Sequence, residues 1–250
     1  MKRRPDHATF EEAHHVLKHA LEELDSNVPN YNEWLRELVS PAAVGRVIEL
    51  GAGMGTFSLA LLRTADHVVA VEPSELGAAL FNRPDGGDAR ITRVHGYAHD
   101  AVDLGPFDGA VMSNVLEHIA EDEATLRELF TMVRPGGLVA VYSPAFPLLM
   151  SDFDRSIGHV RRYRRRELRA KFEQAGFEIA AARYVNLPGF FAWLIVSRVL
   201  HKRPTDTRLS RLYDRRVVPL TRWIESRVRP PFGQSVLVIG RVPLARTGRP

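Results

Sequence analysis

Val47-Ile48-Glu49-Leu50-Gly51-Ala52-Gly53-Met54-Gly55 is a short apolar run that breaks into three alternating glycines. A run of that length before a glycine cluster reads as a buried strand feeding a tight turn. An apolar stretch from Thr56 to Leu62 follows and reads as a helix. Glycines at such a strand-to-helix turn permit backbone angles that a side chain forbids, and they let the main chain approach a ligand closely. In an open α/β sheet, ligands sit at the carboxyl ends of the strands, near the point where strand order reverses. The spacing narrows the ligand. The dinucleotide fingerprint is G-x-G-x-x-G, whereas here the third glycine, Gly55, comes one residue early and Thr56 takes the fingerprint's last position. Glu72 lies 21 residues after Gly51, where a carboxylate can accept hydrogen bonds from ribose hydroxyls.

Outward from this turn, strands and helices alternate. Strands are expected at Arg46–Leu50, His67–Val71, Arg90–His95, Phe107–Met112, Leu138–Tyr142, Phe177–Tyr184 and Ser235–Ile239. Helical stretches fall from Ser74 to Leu80, Glu121 to Met132 and Arg166 to Ala175, the last ended by Gly176. Arg134-Pro-Gly-Gly137 reads as a turn. Two further helices, Glu11–Leu24 and Tyr31–Val39, precede the first strand, punctuated by Pro29 and Pro41. The pattern implies an α/β fold: a Rossmann-like, seven-stranded, mostly parallel sheet with helices on both faces. One domain is expected. Residues 1–40 form N-terminal helices, 41–185 the ligand-binding core, 186–234 a helical insertion before the last strand, and 235–250 that strand and the tail. The insertion's place in the chain puts it beside the ligand-binding edge.

The ordered landmarks resemble the class I S-adenosylmethionine-dependent methyltransferases of the small-molecule, ubiquinone-methyltransferase-like type. E-x-G-x-G-x-G with an acidic second-strand end resembles their first motif. Leu116-Glu-His118 resembles the "LEH" segment after strand four, Val133-Arg-Pro-Gly-Gly137 the turn before strand five, and Ala175-Gly-Phe177 the "AGF" before strand six. The resemblance implies S-adenosyl-L-methionine as cofactor. Gly51, Ala52, Gly53 and Gly55 would form its loop, and Glu49 would meet the methionyl ammonium directly or through water. Glu72 would bind the ribose diol with Pro73 beside the adenine, and Ser113 and Asn114 would lie along the methionyl side. The acidic residue that the family places after strand three is missing. Tyr97 stands there, so either Asp100 substitutes or a backbone amide of Tyr97 or Ala98 holds the adenine.

Methyl transfer from a sulfonium is an in-line displacement, and positioning alone can supply much of its rate. A general base helps when the nucleophile is a hydroxyl. His118, His159 and Tyr163 are the candidates, since histidine titrates near neutral pH. His159 and Tyr163 belong to Gly158-His-Val-Arg-Arg-Tyr163, which follows strand five and resembles a GHxRRY segment of bacterial methyltransferases. Arg161 and Arg162 could hold an anionic group of the acceptor, or they could pair with Asp152 and Asp154 in a lid loop. Tyr31 is a further acceptor-binding candidate.

Composition sets the outer limits. The chain has 250 residues, a hydrophobic fraction of 45% and no cysteine, so zinc–thiolate sites and disulfides are excluded. No metal is expected. Met1-Lys-Arg-Arg4 is basic without an apolar region after it, so no signal peptide is expected, and a cytoplasmic place is. Residues 1–154 carry 12 Lys/Arg against 24 Asp/Glu, and residues 155–250 carry 22 against 6. The basic C-terminal part also holds Leu187–Leu200, an apolar aromatic stretch followed by His201-Lys-Arg203, and then a basic region with spaced apolar positions from Leu209 to Ile224. Such a segment can lie in a membrane interface, cap a site or pack on the core.

The expected activity is therefore methyl transfer to oxygen or nitrogen of a small acceptor, hydrophobic, lipid-linked or anionic, with peripheral contact to the inner membrane face. The D/N-P-P-Y/F motif of nucleic-acid amino methyltransferases is absent, so nucleic acid is not the expected partner. The alternatives are a cofactor-binding protein without catalysis, a membrane-associated protein and an NAD(P)-dependent oxidoreductase.

Overall fold

Val47, Ile48, Val68, Val69, Val111, Val139 and Val141 are fully or almost fully buried, and they build the centre of one seven-stranded sheet. A computed structural model describes residues 28–74, 87–195 and 207–244. Its strands are β1 (Gly45–Leu50), β2 (Ala65–Glu72), β3 (Ile91–His95), β4 (Phe107–Ser113), β5 (Val133–Pro144), β6 (Glu178–Val185) and β7 (Ser235–Arg241). Near-continuous apolar runs such as Val68–Val71 are what strands covered on both faces require. Two cores cover the two faces: one centred on Ile48, Met112, Leu129 and Phe172, the other on Trp34, Val47, Leu61 and Leu237.

The strand order is β3-β2-β1-β4-β5-β7-β6. β1 pairs in parallel with both β2 and β4, so the order reverses between β1 and β4. β7 slots between β5 and β6 and runs antiparallel to each. The described helices are α1 (Pro29–Val39), α2 (Thr56–Leu61), α3 (Asp122–Met132), α4 (Asp152–Ser156), α5 (Arg165–Gln174), α6 (Leu187–Trp193), α7 (Thr207–Leu212) and α8 (Val218–Glu225), with a π-helical turn at Tyr213–Val217 joining the last two. All seven expected strands are present. The expected turn at Arg134–Gly137 is instead taken into β5 as an irregularity, where the register on β4 shifts between Phe107 and Gly109. The helices expected over Glu11–Leu24 and beyond Ser74 lie outside the described residues, as does the end of the Leu187–Leu200 stretch. No helix among the described residues is long and apolar enough to cross a membrane.

Pro144 and Val185 both pair with Ser235, so β5 and β6 end together at the carboxyl edge. The insertion starts there, at Asn186. Glu225 of α8 accepts the N–H groups of Asn186 and Leu187 at 3.1 and 2.9 Å. Asp214 of the π turn accepts those of Asn30 and Tyr31 at 3.1 and 2.8 Å, which ties the start of α1 to the insertion.

Candidate active site

Where the sheet order reverses, Gly51, Gly53 and Gly55 have φ of 73°, 51° and 73°, the left-handed region that favours glycine. A Cβ on Gly51 would lie 2.2 Å from Val115 Cγ2, whereas one on Gly55 would meet nothing within 4 Å. The turn is thus packed on one side and open on the other. The N–H groups of Gly51 and Ala52 both donate to Val71 O, at 2.8 and 3.1 Å. The Glu72 carboxylate accepts from Gly53 N at 2.8 Å and from Ser74 N at 3.0 Å, so it braces the turn from the neighbouring strand. Pro73 beside it is exposed. Glu49 is buried at the foot of the turn with Ser58 Oγ donating to it. Burial pushes its carboxyl up to about 7; the Ser58 hydrogen bond opposes the shift and the Glu72 charge adds to it. An acid held half-neutral in a closed space is a ready counter-group for a cation.

After β3 comes Tyr97, 61% exposed, with its ring stacked on His99 at 5.8 Å, and then the buried Ala98. Asp100 accepts the Tyr97 N–H at 2.8 Å, so that amide and that carboxylate are already paired with each other. At the end of β4, Ser113 is half-buried and Asn114 exposed. Among the described residues, the non-glycine residues with positive φ are Asn114 (53°), Phe146 (60°) and Asn186 (64°). They stand one or two positions beyond β4, β5 and β6 respectively. Such backbone costs on the order of 1–3 kcal/mol per residue and gathers at functional sites. Here it gathers on one sheet edge.

Beyond β4 and β5, the LEH and GHxRRY segments interlock. His118 and His159 meet edge to face with ring centroids 4.6 Å apart. His159 Nδ1 lies 2.9 Å from Asp154 Oδ1. That same oxygen accepts from Arg162 Nε and Nη2 at 3.0 and 2.7 Å, and the other accepts from Ser151 N and Oγ at 2.7 and 2.6 Å. Burial alone would raise the Asp154 carboxyl, but the His159 hydrogen bond, the Arg162 charge and the Ser151 bonds outweigh it and hold it at about 2. Glu117, a residue that sequence reasoning passed over, is fully buried; Ser143 Oγ donates to its Oε2 at 2.9 Å. Burial raises this carboxyl too, against the opposing charges of His159 and Arg162.

Three expected roles need correction. Tyr163 is fully buried and donates to Asp122 Oδ2 at 2.9 Å and Leu116 O at 3.1 Å, with its phenol pushed far above the usual range by burial and that acidic neighbour. It holds the fold and cannot serve as a base. Arg162 is spent on Asp154 and on the Trp193 ring, 4.7 Å away. Arg161 is spent on Asp122 at 2.6 Å and Ala120 O at 2.8 Å. Both arginines are engaged by acids, Arg162 in the pairing with Asp154 that the sequence left open and Arg161 with Asp122 at the start of α3.

The insertion adds an aromatic wall to this edge. Phe146 stacks on Tyr184 at 4.7 Å and meets Phe190 edge-on at 5.6 Å; Phe190 in turn meets Phe232 at 5.0 Å. Trp193 Nε1 donates to Leu149 O at 3.0 Å. Tyr31 shares a 2.7 Å hydrogen bond with Tyr142 near the end of β5. A separate groove of about 600 Å³ opens between α1 and α8, lined by Trp34, Arg183 and Trp223 among others, and does not border the glycine turn.

Residues 14–182 match the model of a family described as a methyltransferase domain. A demethylmenaquinone methyltransferase of Clavibacter sepedonicus is 35% identical over 120 residues, 46% of this chain and 49% of that protein. A ubiquinone biosynthesis O-methyltransferase of Rhizobium johnstonii is 34% identical over 101 residues, 38% of this chain and 40% of that protein. The chain thus spans about half, or less, of the curated relatives it matches. Among solved structures, phosphoethanolamine N-methyltransferase 2 of Haemonchus contortus in complex with S-adenosyl-L-methionine superposes with a TM-score of 0.54 at 16% identity, covering 80% of this chain and 49% of that one. The cyclase SpnF gives 0.54 at 19% identity, covering 85% and 82%. At such identities the likeness is one of fold, and a fold hosts more than one chemistry.

Proposed function

We propose, on the premise that the chain belongs to the methyltransferase-domain family and works with S-adenosylmethionine, that its acceptor is a small hydrophobic, lipid-linked molecule methylated on oxygen or nitrogen. The observation that carries this is the aromatic wall of Phe146, Tyr184, Phe190 and Phe232 along the carboxyl edge. Rings aligned at such an edge favour a flat apolar partner. The relatives, demethylmenaquinone and ubiquinone biosynthesis methyltransferases by name, point to the same class.

The chain's residues fit the cofactor. Glu49 offers a buried carboxylate to the methionyl ammonium at the foot of the turn, and the space over Gly55 admits the ligand. Glu72, held by two N–H groups, keeps lone pairs for the ribose hydroxyls, with Pro73 beside the adenine. Tyr97 and Ala98 would flank the adenine, and Ser113 and Asn114 would line the methionyl side. When bound, the cofactor supplies a methyl group on an electron-poor sulfur, open to in-line displacement. The chain aligns the acceptor with that methyl and excludes water with the aromatic wall, and the side where His118 and His159 meet is where a hydroxyl acceptor is deprotonated.

The membrane half of the reading rests on α8 and the turn after it. Val218, Thr221 and Glu225 face inward, while Leu220, Trp223, Ile224 and Val228 are exposed at helical spacing. Arg215, Arg216, Arg227 and Arg229 flank that stripe, and Arg227 lies over the Trp223 ring at 4.2 Å. An outward apolar stripe with cationic flanks suits the interface of an anionic bilayer.

Calorimetry and a matched acceptor pair test this. S-adenosylhomocysteine is expected to bind and NAD is not. A prenylated quinol is expected to be methylated in preference to the same head group without its chain. Co-sedimentation with anionic vesicles should fall as salt rises and drop in Trp223→Glu. Preference for the chain-free acceptor, together with no binding to anionic vesicles at low salt, would refute the proposal.

A further inference from the structure

A ring nitrogen of His159 and a partnerless carboxylate oxygen of Glu117 face each other inside the LEH–GHxRRY junction. Asp154 accepts from Arg162 and Ser151 and holds His159 Nδ1 at 2.9 Å, which fixes the direction of the ring. His159 Nε2 then points the other way, 3.8 Å from Glu117 Oε1. Glu117 Oε1 is itself buried and has no hydrogen-bond partner. A buried carboxylate oxygen without a partner is a position a bound cation would satisfy. His118 supplies a third donor: one ligand atom each from Glu117, His118 and His159 lie within 4.8 Å of one another.

We propose that Glu117, His118 and His159 bind a first-row divalent cation. Two imidazoles and one carboxylate suit zinc, cobalt, iron or manganese better than magnesium or calcium. The surrounding bonds are those of a built metal site. Asp154 fixes the direction of His159, and Ser143 orients Glu117 through its other oxygen. Donors around an ion at about 2.1 Å lie roughly 3–3.5 Å apart, so the three groups close by about an ångström or a little more on binding. Two of them follow β4 and the third follows β5, which places the ion at the carboxyl edge. Three protein ligands leave positions for an acceptor oxygen.

The ion's role, though not its existence, rests on the methyl-transfer reading. A hydroxyl bound to the ion loses its proton to water near neutral pH. The resulting oxygen forms the new bond to the methyl carbon as the carbon–sulfur bond breaks, and the sulfur keeps the electron pair. The ion changes no oxidation state.

The test is a titration of chelator-treated full chain with Zn²⁺ and with Co²⁺, followed by calorimetry and by the visible spectrum of the cobalt form. One equivalent is expected, with cobalt bands that mark mixed nitrogen and oxygen ligation. His159→Ala is expected to weaken binding by at least about 100-fold and Asp154→Asn by roughly 10–100-fold, while S-adenosylhomocysteine affinity holds in both. If Glu117→Gln fails to fold, these two variants still decide. Less than one equivalent taken up by the wild type, or equal affinity in wild type and His159→Ala, overturns the site. Failure of S-adenosylhomocysteine binding would instead strike the methyl-transfer reading and leave the metal result standing.

Discussion

Replacing Glu49 by Gln tests the glycine turn and the cofactor reading together. In the folded chain, burial moves this carboxyl from 4.5 to about 7. A tenfold change in proton affinity is worth about 1.4 kcal/mol, so a displacement of this size amounts to about 3 kcal/mol. The folded-state value is the raised one, so the folded chain binds the proton more tightly than the unfolded chain. Stability is therefore full below about 4.5 and falls as pH rises through about 7. Glu49→Gln keeps the shape and removes the titration. Denaturant unfolding of the apo chain at pH 5, 6, 7 and 8 should show the wild type losing stability relative to the variant across that span. The comparison must be the difference between the two proteins, because Glu117 and Glu225 also have raised carboxyls and add to both slopes. The cofactor reverses the demand: an ammonium at Glu49 favours the ionised acid. Wild-type affinity for S-adenosylhomocysteine should then rise about tenfold with each unit that the pH climbs toward about 7 and level off above it, with a proton released on binding. The variant should bind more weakly and with a flatter profile. Parallel stability curves for the two proteins from pH 5 to 8, or a cofactor affinity indifferent to the substitution, would refute the reasoning.

Other substitutions probe other parts of the edge. Glu72→Ala should weaken S-adenosylhomocysteine binding by about 1–3 kcal/mol, through lost charged hydrogen bonds and a freed Gly53 turn; unchanged affinity in calorimetry would remove Glu72 from the site. Gly51→Ala should lower the melting temperature and cofactor affinity together, because its Cβ would fall 2.2 Å from Val115 at a φ of 73°; a variant as stable as wild type would show the turn to be differently built. Tyr163→Phe should cost about 1–3 kcal/mol of stability with cofactor affinity unchanged, and a loss of methyl transfer at intact stability would return Tyr163 to the chemistry. Asp214→Ala should release the start of α1 from the insertion at a cost of about 1–3 kcal/mol, read as faster amide exchange at Asn30 and Tyr31; unaltered exchange would count against that tie.

What was legible in the chain was what local pattern encodes. Seven strands, the glycine turn and Glu72 at the end of β2 follow from apolar runs, glycine spacing and the length of one crossover. The slot taken by β7 is a matter of pairing across a long interruption, which no local run reports. Glu117 was missed because it sits between Leu116 and His118 in a segment whose residues look like one turn. Only folding shows that the turn buries the acid against Ser143 and His159. The pairing of Arg162 with Asp154 was one of two readings open in the sequence, whereas Arg161 finds Asp122 instead, an acid from a distant helix. The local signal was Asp154 eight residues before Arg162, an opposite charge in the same short loop; no such local signal exists for Asp122.

The network around Asp154 bears on why this edge is built as it is. Burying an arginine, an aspartate and a histidine costs desolvation that ion pairing only partly returns, and apolar side chains of the same size are often as stable. Its position argues for a geometric role. It lies beyond β5, with Arg162 donating to Ala145 O next to the strained Phe146, and every donor around Asp154 also fixes a neighbour: Arg162 lies over Trp193, Ser151 starts α4, and His159 is turned toward Glu117. Phe146 is held against Tyr184 while His118 and His159 stay in ring contact. Asp154→Asn separates the two readings. If the network only stabilises, the variant loses stability and the His159 ring keeps its titration and its ligand. If it aims His159, chemical shifts and metal affinity at His159 move even in conditions where the variant is fully folded.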